Sequence, residues 1–374
     1  MTRKIGITGQ NGFIGYHLFN TFNLLTDQYQ CVPFEKNYFT DQSALEKFVL
    51  ECDVIVHLAA MNRHADQNVI YETNLDLVKR LIAALEKTKS KPHVLFSSSS
   101  QEERDNPYGR SKKEGRQLLA AWAKKNDAAF TGLIIPNVFG AFGRPFYNSV
   151  IATFCHQLTH QDVPRIEVDG EINLIYVGEL VAGFRQAIEH PQEKVSTKSI
   201  AHTATSKVSS LLQILQDFKE NYFERGIVPN LNSTFEKNLF VTFLTYLDHR
   251  SFFPFRLTQN VDARGAFVEI AKLKSGGQVS FSTTLPGVVR GNHFHTRKFE
   301  RFAVVKGRAV IELRRIGTDE ILSFELGGNA PAFVDMPIWF THNIKNVGDD
   351  ELLTIFWINE FYDQNDPDTF FVAV

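Results

Sequence analysis

Residues 4–15 are KIGITGQNGFIG, a short apolar run followed at once by three glycines spaced three residues apart. Gly9 allows a tight turn from strand to helix, Gly12 lets the backbone approach a pyrophosphate, and Gly15 lets the helix pack closely on the strand. A helix that opens with Phe13 and Ile14 would then direct its first N–H groups at the phosphates. Three glycines alone would indicate only a loop, but the strand before them and the apolar helix after them favour a dinucleotide site.

Beyond this turn, apolar strands alternate with helical stretches over the first two-thirds of the chain. The predicted strands are short and rich in β-branched or aromatic residues: Ile5–Thr8, Cys31–Phe34, Val54–Leu58, Val94–Ser97 and Gly132–Ile135. Segments with helical periodicity, such as Asn74–Glu86, lie between them. Buried parallel strands separated by helices predict an α/β fold with a Rossmann-type, doubly wound parallel sheet.

The pattern changes near Arg256, where closely spaced strands replace the helical periodicity. The predicted strands of this part are Ala266–Ala271, Gln278–Thr284, Arg301–Val305, Ala309–Arg314, Ile321–Glu325, Ala332–Val334 and Leu353–Ile358. Such spacing predicts an all-β barrel or sandwich. We place the boundary within Thr245–Arg256, where Pro254 and polar residues interrupt the pattern, so the predicted domains are residues 1–246 and 247–374.

Length and composition fit an ordinary globular protein with two domains. The 374 residues carry a formal net charge of −2, which gives no electrostatic reason to expect nucleic acid or an acidic membrane as a partner. No apolar run approaches the ~18 residues of a membrane span, and the first strand begins too early for a signal peptide. Three widely spaced cysteines, an odd number, favour reduced thiols and a cytoplasmic protein.

A tyrosine and a lysine four residues apart, Tyr108 and Lys112, are predicted on one face of a helix that begins near Pro107. A phenol has an ordinary pKa of about 10, and a nearby ammonium group would lower that pKa toward neutrality. The pair can therefore donate a proton to a carbonyl oxygen while a hydride reaches the carbon. Lys112 can also hold the nicotinamide ribose, and the preceding serine run, Ser97–Ser100, can offer a hydroxyl to the same carbonyl.

The choice of nicotinamide cofactor depends on two residues that follow the second predicted strand. Glu35 would accept a hydrogen bond from the 2′-hydroxyl of NADH, whereas Lys36 would neutralise the 2′-phosphate of NADPH. These two side chains make opposite demands, so the residues alone leave both cofactors open.

The N-terminal part of the chain resembles the extended short-chain dehydrogenase/reductase family of nucleotide-sugar enzymes. The resemblance rests on the glycine turn, the serine run, the Tyr108-x3-Lys112 pair, and the stretches Asp53–Ala60 and Pro136–Gly140. It favours NADPH and implies further residues at the cofactor: Leu58, Ala59, Ala60, Asn74, Pro136 and Asn137. It also implies Ser99 as the catalytic hydroxyl, although Ser99 precedes Tyr108 by only nine residues, closer than is usual in the family, and Ser98 is the alternative.

A second group of polar residues, His293, His295, Glu300 and His342, lies in the β-rich part of the chain. Residues two apart on a strand point to the same face, so His293 and His295 would lie side by side. Glu300 begins the next strand, and His342 comes from a distant one. Three imidazoles and a carboxylate suit Zn²⁺, Fe²⁺, Mn²⁺ or Ni²⁺ with one position left for substrate, and among these we expect Zn²⁺.

The spacing of these residues, together with Gly287 and Gly307, resembles the cupin superfamily. The resemblance implies a double-stranded β-helix that gathers the four side chains inside a barrel. One position departs from the cupin pattern, because Trp339 stands where the Pro-x-Gly-x2-His motif has glycine. The Trp339 side chain is either part of the barrel packing or a wall on which a sugar stacks.

The combination of the two parts, with the stretches Asn106–Gly109 and Tyr147–Cys155, resembles a family of bifunctional capsular-polysaccharide enzymes. This resemblance covers essentially the whole chain. The family implies that the cupin epimerises C3 of a UDP-2-acetamido-2,6-dideoxy-4-hexulose. The reductase would then reduce the C4 ketone with NADPH to UDP-N-acetyl-L-talosamine, en route to UDP-N-acetyl-L-fucosamine, in a homodimer. The alternatives are a reductase with a structural cupin and a non-catalytic NAD(P)-sensing protein. The intact Tyr108–Lys112 pair disfavours the sensor, and the cost of burying charge for scaffolding disfavours the structural cupin.

Overall fold

The computed structural model describes residues 2–191, 193–263 and 265–374. They form two compact units, each assembled from three stretches of the chain. The first unit comprises the stretch that ends at Phe139, together with Gly143–Thr153 and Gly170–Lys207. The second comprises Gly140–Phe142, Phe154–Asp169 and Val208–Val374. Residues 208–246, which the sequence boundary assigns to the first domain, therefore cluster with the second unit.

The described helices are α1 (Phe13–Asn23), α2 (Gln42–Glu51), α3 (Gln67–Thr88), α4 (Pro107–Asn126), α5 (Val150–Thr159), α6 (Val177–Glu189), α7 (Val208–Phe218), α8 (Thr234–Leu244) and α9 (His249–Phe252). Short 3-10 turns lie at Lys36–Phe39 and Ser100–Glu103, and a π turn lies at Lys219–Phe223. Within the described ranges, none of the helices is both long and apolar enough to cross a membrane.

The strands of the first unit are β1 (Arg3–Thr8), β2 (Tyr29–Val32), β3 (Val54–His57), β4 (His93–Ser99), β5 (Phe130–Ile135), β6 (Asn137–Phe139), β7 (Glu171–Tyr176), β8 (Val195–Ser199) and β9 (Ala204–Lys207). The strands of the second unit are β10 (Phe255–Arg256), β11 (Gln259–Asp262), β12 (Gly265–Val268), β13 (Gln278–Thr284), β14 (Val289–Phe294), β15 (Glu300–Lys306), β16 (Arg308–Arg315), β17 (Ile321–Gly327), β18 (Ala332–Met336), β19 (Phe340–Asn346), β20 (Leu352–Ile358) and β21 (Phe370–Phe371).

The first unit is built on a six-stranded parallel sheet with the order β2-β1-β3-β4-β5-β8. Apolar residues of α2, α3 and α4 cover one face of this sheet, and those of α1 and α6 cover the other. The predicted Rossmann-type doubly wound sheet is therefore confirmed. The chain leaves β1 for β2 on one side and returns to β3 on the other, which opens a crevice at the carboxyl ends of β1 and β3.

The second unit contains two five-stranded antiparallel sheets, ordered β10-β18-β15-β20-β13 and β17-β16-β19-β14-β21. Apolar side chains of both sheets share one core, to which Ile311 on β16 and Val334 on β18 belong. The closely spaced strands predicted for this part are confirmed as antiparallel strands. The narrower assignment to a double-stranded β-helix stays a prediction.

A buried ion pair explains why residues 208–246 join the second unit. Arg301 on β15 donates two hydrogen bonds to the Asp335 carboxylate on β18, at 2.8 and 2.9 Å. The Tyr222 hydroxyl donates to the same carboxylate, and Arg301 donates to the carbonyl of Gly226 at 2.8 Å. Breaking such a pair on one side costs about 3–5 kcal/mol, so these contacts fix the helical segment on the β-sheet.

Candidate active sites

The glycine turn follows β1 and requires glycine at two positions. Gly9 has a φ of +78°, and a Cβ there would lie 3.1 Å from the backbone nitrogen of Ala59. A Cβ on Gly15 would lie only 2.2 Å from the carbonyl oxygen of Gly9. The same oxygen accepts a hydrogen bond from the N–H of Gly12 at 2.9 Å, which closes the turn. Gly9 and Gly15 are thus sterically required in this turn, and the approach of a pyrophosphate to Gly12 stays a prediction.

The N-terminus of α1 is suited to an anion. Gly12 caps this helix without a side-chain hydrogen bond, and no acidic residue lies in the first turn. The backbone N–H groups at the start of a helix have no partner within the helix, and they carry the positive end of its dipole. The start of α1 therefore suits a phosphate, and contact of the Phe13 and Ile14 N–H groups with a dinucleotide stays a prediction.

The residues after β3 lie against the glycine turn. Leu58 N–H donates to the carbonyl of Thr8 at 3.2 Å, and Ala59 N–H donates to the Thr8 hydroxyl at 3.3 Å. That hydroxyl also hydrogen-bonds Nδ1 of the buried His57 at 2.7 Å. Leu58, Ala59 and Ala60 therefore follow the carboxyl end of β3, beside the turn at which a dinucleotide would bind.

Asn74 and Asn137 have protein partners for their amides. The Asn74 amide pairs with the backbone of Met61 at 2.6 and 3.0 Å and donates to the Ser111 hydroxyl at 3.0 Å. The amide of Asn137, next to Pro136 after β5, donates to the carbonyl of Asn173 at 3.1 Å. Direct contact of these residues with the cofactor stays a prediction.

The two residues that bear on cofactor choice lie at the carboxyl end of β2. Phe34 N–H donates to the Gln10 side chain at 3.3 Å, which joins this end of the strand to the glycine turn. Glu35 and Lys36 follow at once, and both are exposed. The structure thus places a carboxylate and an ammonium group where the adenine ribose of a bound dinucleotide is expected.

Tyr108 and Lys112 lie in the first turns of α4, as predicted. The Lys112 side chain is buried, and its Nζ donates to the carbonyl of Ser97 at 2.9 Å. Nζ lies 5.8 Å from the centre of the Tyr108 ring. Burial lowers the pKa of Lys112 to about 8, with the Glu102 carboxylate opposing the shift.

The expectation that Lys112 lowers the pKa of the phenol is wrong for this structure. Burial raises the pKa of Tyr108 to about 12, and the neighbouring Tyr147 adds to the effect. The physical reason is that desolvation of the half-buried phenol disfavours its anion. The Lys112 ammonium meanwhile hydrogen-bonds a carbonyl group instead of the phenol.

The serines at the end of β4 differ in what their hydroxyls contact. Ser98 donates its hydroxyl hydrogen to Glu102, which also binds Arg116 at 2.6 and 2.9 Å. The Ser99 hydroxyl accepts a hydrogen bond from the N–H of Gln101 at 3.1 Å, which leaves its own hydrogen available. The contacts therefore favour Ser99 as the hydroxyl for a substrate carbonyl, and the assignment stays a prediction.

A close approach accounts for the short spacing between Ser99 and Tyr108. The 3-10 turn Ser100–Glu103 packs directly on the start of α4, so that a Cβ on Gly109 would lie 2.0 Å from the carbonyl oxygen of Gln101. Asn106 caps the helix by accepting from Gly109 N–H at 2.7 Å. Gly109 was not singled out from the sequence, because only the packed turn shows that no side chain fits there.

The four predicted metal ligands converge in the second unit. His293 lies on β14, His295 lies one residue beyond it, Glu300 begins β15 and His342 lies on β19. Their ligand atoms all lie within 4.8 Å of one another. Glu300 Oε2 is 3.3 Å from Nε2 of His295, 3.3 Å from Nε2 of His342 and 3.9 Å from Nε2 of His293.

A bulge in β14 brings His293 into this group. The pairing with β19 shifts register between Gly291 and His293, which places His293 opposite His342. Gly291 and Asn292 have φ values of +97° and +59°. A Cβ on Gly291 would lie 2.8 Å from the carbonyl oxygen of His342, so the close approach of the two strands requires glycine.

The group fits a divalent cation. Nε2 of His295, Nε2 of His342 and Oε2 of Glu300 are buried without a hydrogen-bond partner. An unpaired buried polar group costs about 1–3 kcal/mol, and a bound cation would compensate all three. Burial raises the pKa of Glu300, but the three imidazoles around the carboxylate outweigh this and hold the pKa well below its usual range. Such a carboxylate stays anionic, as metal binding requires.

Trp339, which stands where the cupin pattern has glycine, has a left-handed backbone conformation that glycine favours. Its φ is +63°, and its N–H donates to the carbonyl of His295 at 2.8 Å. Its ring is buried and packs on Phe294, with ring centres 5.5 Å apart. Of the two functions open from the sequence, the structure therefore favours barrel packing over a sugar-binding wall.

Two family models match the chain. Residues 5–201 match the NAD dependent epimerase/dehydratase family. Residues 260–370 match the polysaccharide biosynthesis C-terminal domain. The first match covers the parallel sheet with its glycine turn and Tyr108, and the second covers the β-strands with the four metal-site residues.

Relatives align with the chain over nearly its full length. A Pseudomonas aeruginosa protein named UDP-2-acetamido-2,6-beta-L-arabino-hexul-4-ose reductase is 32% identical over 99% of each chain. The structure of the capsular polysaccharide assembling protein CapF from Staphylococcus aureus is similar at 36% identity and a TM-score of 0.63, and the match covers 99% of this chain and 100% of that one. Bordetella bronchiseptica WbmF in complex with NAD+ shares the fold at 17% identity and a TM-score of 0.56, over 65% of this chain and 92% of that one.

Proposed function

Because the chain belongs to the NAD-dependent epimerase/dehydratase family, and within it to the group that includes CapF, we propose that it is a bifunctional nucleotide-sugar enzyme of capsular or O-antigen polysaccharide precursor synthesis. The proposed substrate is a UDP-2-acetamido-2,6-dideoxy-4-hexulose. The second unit, which we propose to be a cupin, epimerises C3. The first unit then reduces the C4 ketone with NADPH to UDP-N-acetyl-L-talosamine, en route to UDP-N-acetyl-L-fucosamine.

One observation carries the bifunctional proposal. The chain that carries Tyr108 and Lys112 on α4 also buries His295, His342 and Glu300 with ligand atoms that have no hydrogen-bond partner. A structural cupin would gain stability from apolar residues at these positions, because buried unpaired polar atoms are costly. A metal-dependent reaction in the second unit accounts for their presence.

In the proposed reduction, Tyr108 donates its proton to the C4 oxygen of the sugar, and the Ser99 hydroxyl hydrogen-bonds the same oxygen. A bound nicotinamide supplies the hydride. A phenol with a raised pKa holds its proton firmly until negative charge develops on the C4 oxygen. Burial makes the phenolate that Tyr108 becomes costly, and the Lys112 ammonium, 5.8 Å from the centre of the ring, offsets part of that cost.

In the proposed epimerisation, His293, His295, Glu300 and His342 would hold a divalent ion, for which Zn²⁺ is our choice. Such an ion acts as a Lewis acid that polarises a ketone. This polarisation at C4 is the chemistry that the ion would supply, because it would lower the cost of transferring the C3 proton to a base and of returning a proton to the opposite face. The chain's own residues contribute in two ways. Their surroundings keep Glu300 anionic, and they hold Nε2 of His295 and Nε2 of His342 close to the same carboxylate oxygen.

Cofactor preference tests the assignment of Lys36. We expect kcat/KM to be higher with NADPH than with NADH, and we expect Lys36→Ala to lower the NADPH value by about tenfold, which corresponds to about 1.4 kcal/mol. The NADH value should stay unchanged, because NADH has no 2′-phosphate to pair with the ammonium group. Lys47→Ala, at an exposed position on α2, is the matched control. A wild-type preference for NADH that Glu35→Ala removes would contradict the assignment.

We propose a homodimer, supported by an exposed apolar face on β13. This strand lies at the edge of its sheet, and its Val279 and Phe281 side chains are 63% and 70% exposed. Apolar surface on an edge strand is typical of an interface with another chain. Phe281→Ser should shift the mass measured by light scattering from dimer to monomer, whereas Phe361→Ser, at another exposed phenylalanine, should not. If the Phe281→Ser variant is still a dimer, the interface between the two copies lies elsewhere.

The proposed setting is the cytoplasm, supported by the cysteines. Cys31, Cys52 and Cys155 form no disulfide. Burial raises the pKa of the Cys31 thiol to about 11 and that of Cys52 to about 12. Thiols of this kind are unreactive core residues, as expected in a reducing compartment.

A further inference from the structure

The loop that joins two of the proposed metal ligands is bound to a distant part of the chain, the closing segment (residues 359–374). Thr296, Arg297 and Lys298 form this loop between His295 and Glu300. The buried carboxylate of Asp368 accepts their three backbone N–H groups, at 3.1, 3.0 and 3.1 Å, and the Thr296 hydroxyl at 2.6 Å. One carboxylate therefore holds three of the four residues between the two ligands, and the N–H of the fourth, Phe299, donates to the Asn359 side chain at 3.0 Å.

The backbone of Asp368 contacts a metal ligand directly. Its carbonyl oxygen accepts a hydrogen bond from Nδ1 of His295 at 2.5 Å. A carbonyl oxygen has no hydrogen to donate, so the imidazole must carry its proton on Nδ1. The lone pair is then on Nε2, the atom that lies 3.3 Å from Glu300 Oε2. The contact thus selects the tautomer and ring orientation that metal binding needs.

Neighbouring contacts hold Asp368 in place. The buried Lys298 ammonium donates to the carbonyl of Pro367 at 3.0 Å. On the other side, β21 pairs with β14, so that Phe371 lies opposite His293. Asp368 itself has a φ of +43°, a conformation that a non-glycine residue keeps only when its surroundings enforce it.

We propose that Asp368 is a positioning residue of the metal centre. Its carboxylate holds the loop of residues 296–298, and its backbone carbonyl group orients the His295 ring. The inference rests on the proposed metal-dependent function. Loss of the carboxylate should weaken metal binding although all four ligands remain. Partners that orient a metal-binding imidazole typically contribute 10- to 100-fold to metal affinity.

The test is Asp368→Asn in the full-length protein. Asparagine tolerates the left-handed conformation, but its NH₂ group would face backbone N–H donors, so the loop loses acceptors. We expect Zn²⁺ affinity, measured by competition with a chromophoric chelator, to fall about 10- to 100-fold. The visible spectrum of the Co²⁺-substituted protein should change, because the His295 ring shifts. A purely structural effect would lower the melting temperature and leave that spectrum unchanged.

Asp366→Asn is the matched control. Asp366 is an exposed carboxylate of the closing segment that pairs with Arg297 at 2.8 Å. Its loss should leave Zn²⁺ affinity within about twofold, because exposed ion pairs contribute little. An unchanged affinity and spectrum in folded Asp368→Asn, or an equal loss in Asp366→Asn, would overturn the inference. A wild-type protein that binds no metal would overturn the metal centre itself.

Thr296→Val covers the case in which Asp368→Asn does not fold. It removes one hydrogen bond of the same carboxylate and keeps the side-chain shape. We expect about a fivefold loss of Zn²⁺ affinity, which is in the range of the net contribution of one typical hydrogen bond. Wild-type affinity in Thr296→Val would then reject the proposal.

Discussion

Tyr108→Phe is expected to lower reduction of the keto sugar by about 10²- to 10⁴-fold, because the variant keeps the ring and loses the proton donor. The rate is measured as consumption of NADPH. Lys112 donates to the Ser97 carbonyl and not to the phenol, so its position should survive the substitution. The fold and cofactor binding are therefore expected to match those of the wild-type protein.

Two comparisons make this result specific. Exchange of solvent deuterium into C3 of the keto sugar should continue in Tyr108→Phe, because we assign that exchange to the second unit. Tyr71→Phe removes another phenol of the first unit, one that donates to Glu114 at 2.5 Å, and should reduce the sugar normally. Reduction by Tyr108→Phe within about tenfold of wild type, or about 1.4 kcal/mol of barrier, would show that another group is the acid.

His295→Ala is expected to abolish both metal binding and deuterium exchange at C3. Two imidazoles and one carboxylate would remain, too few for tight coordination of Zn²⁺ with an open position. The glycine turn and Tyr108 lie in the other unit, so cofactor binding should be unaffected. Metal content and the rate of exchange are measured on the same preparation.

His160→Ala is the matched control for this variant. His160 is an exposed histidine of the second unit and lies outside the metal group. Its loss should change neither metal content nor exchange. Normal exchange in metal-free His295→Ala would mean that the metal is structural, and epimerisation would then have to depend on other residues of the β-sheets.

The first unit was largely predictable because its backbone restricts the sequence. The turn after β1 accepts only glycine at two positions, and parallel strands buried on both faces require apolar runs. Lys112 and Tyr108 were found by spacing, but the direction of the Tyr108 pKa shift was not. That shift depends on how deeply the phenol is buried and on which group the Lys112 ammonium hydrogen-bonds. The spacing of the two residues in the sequence shows neither.

In the second unit, the spacing of the four metal-site residues predicts that they converge. The same sequence does not predict all of the strands that carry them. β19 has the sequence FTHNIKN and is almost fully buried although much of it is polar. Its Asn346 side chain donates to the carbonyls of Thr284 and Asp350, both at 2.8 Å. Hydrogen bonds thus replace the apolar alternation from which strands are predicted. Asp368 left no sequence pattern at all, because it lies 73 residues from the histidine that it contacts.

The buried Arg301–Asp335 pair determines how the two chemistries can be separated in the laboratory. A gene fragment that starts at residue 247 would encode both charges without Tyr222 and the Gly226 carbonyl, which complete their hydrogen bonding. It would also lack Phe240, which packs on Phe299 beside Trp357. Such a fragment would expose apolar surface that Phe240 covers in the intact chain, and we expect it to aggregate. Single substitutions in the intact polypeptide are therefore the sound way to inactivate one half and leave the other working.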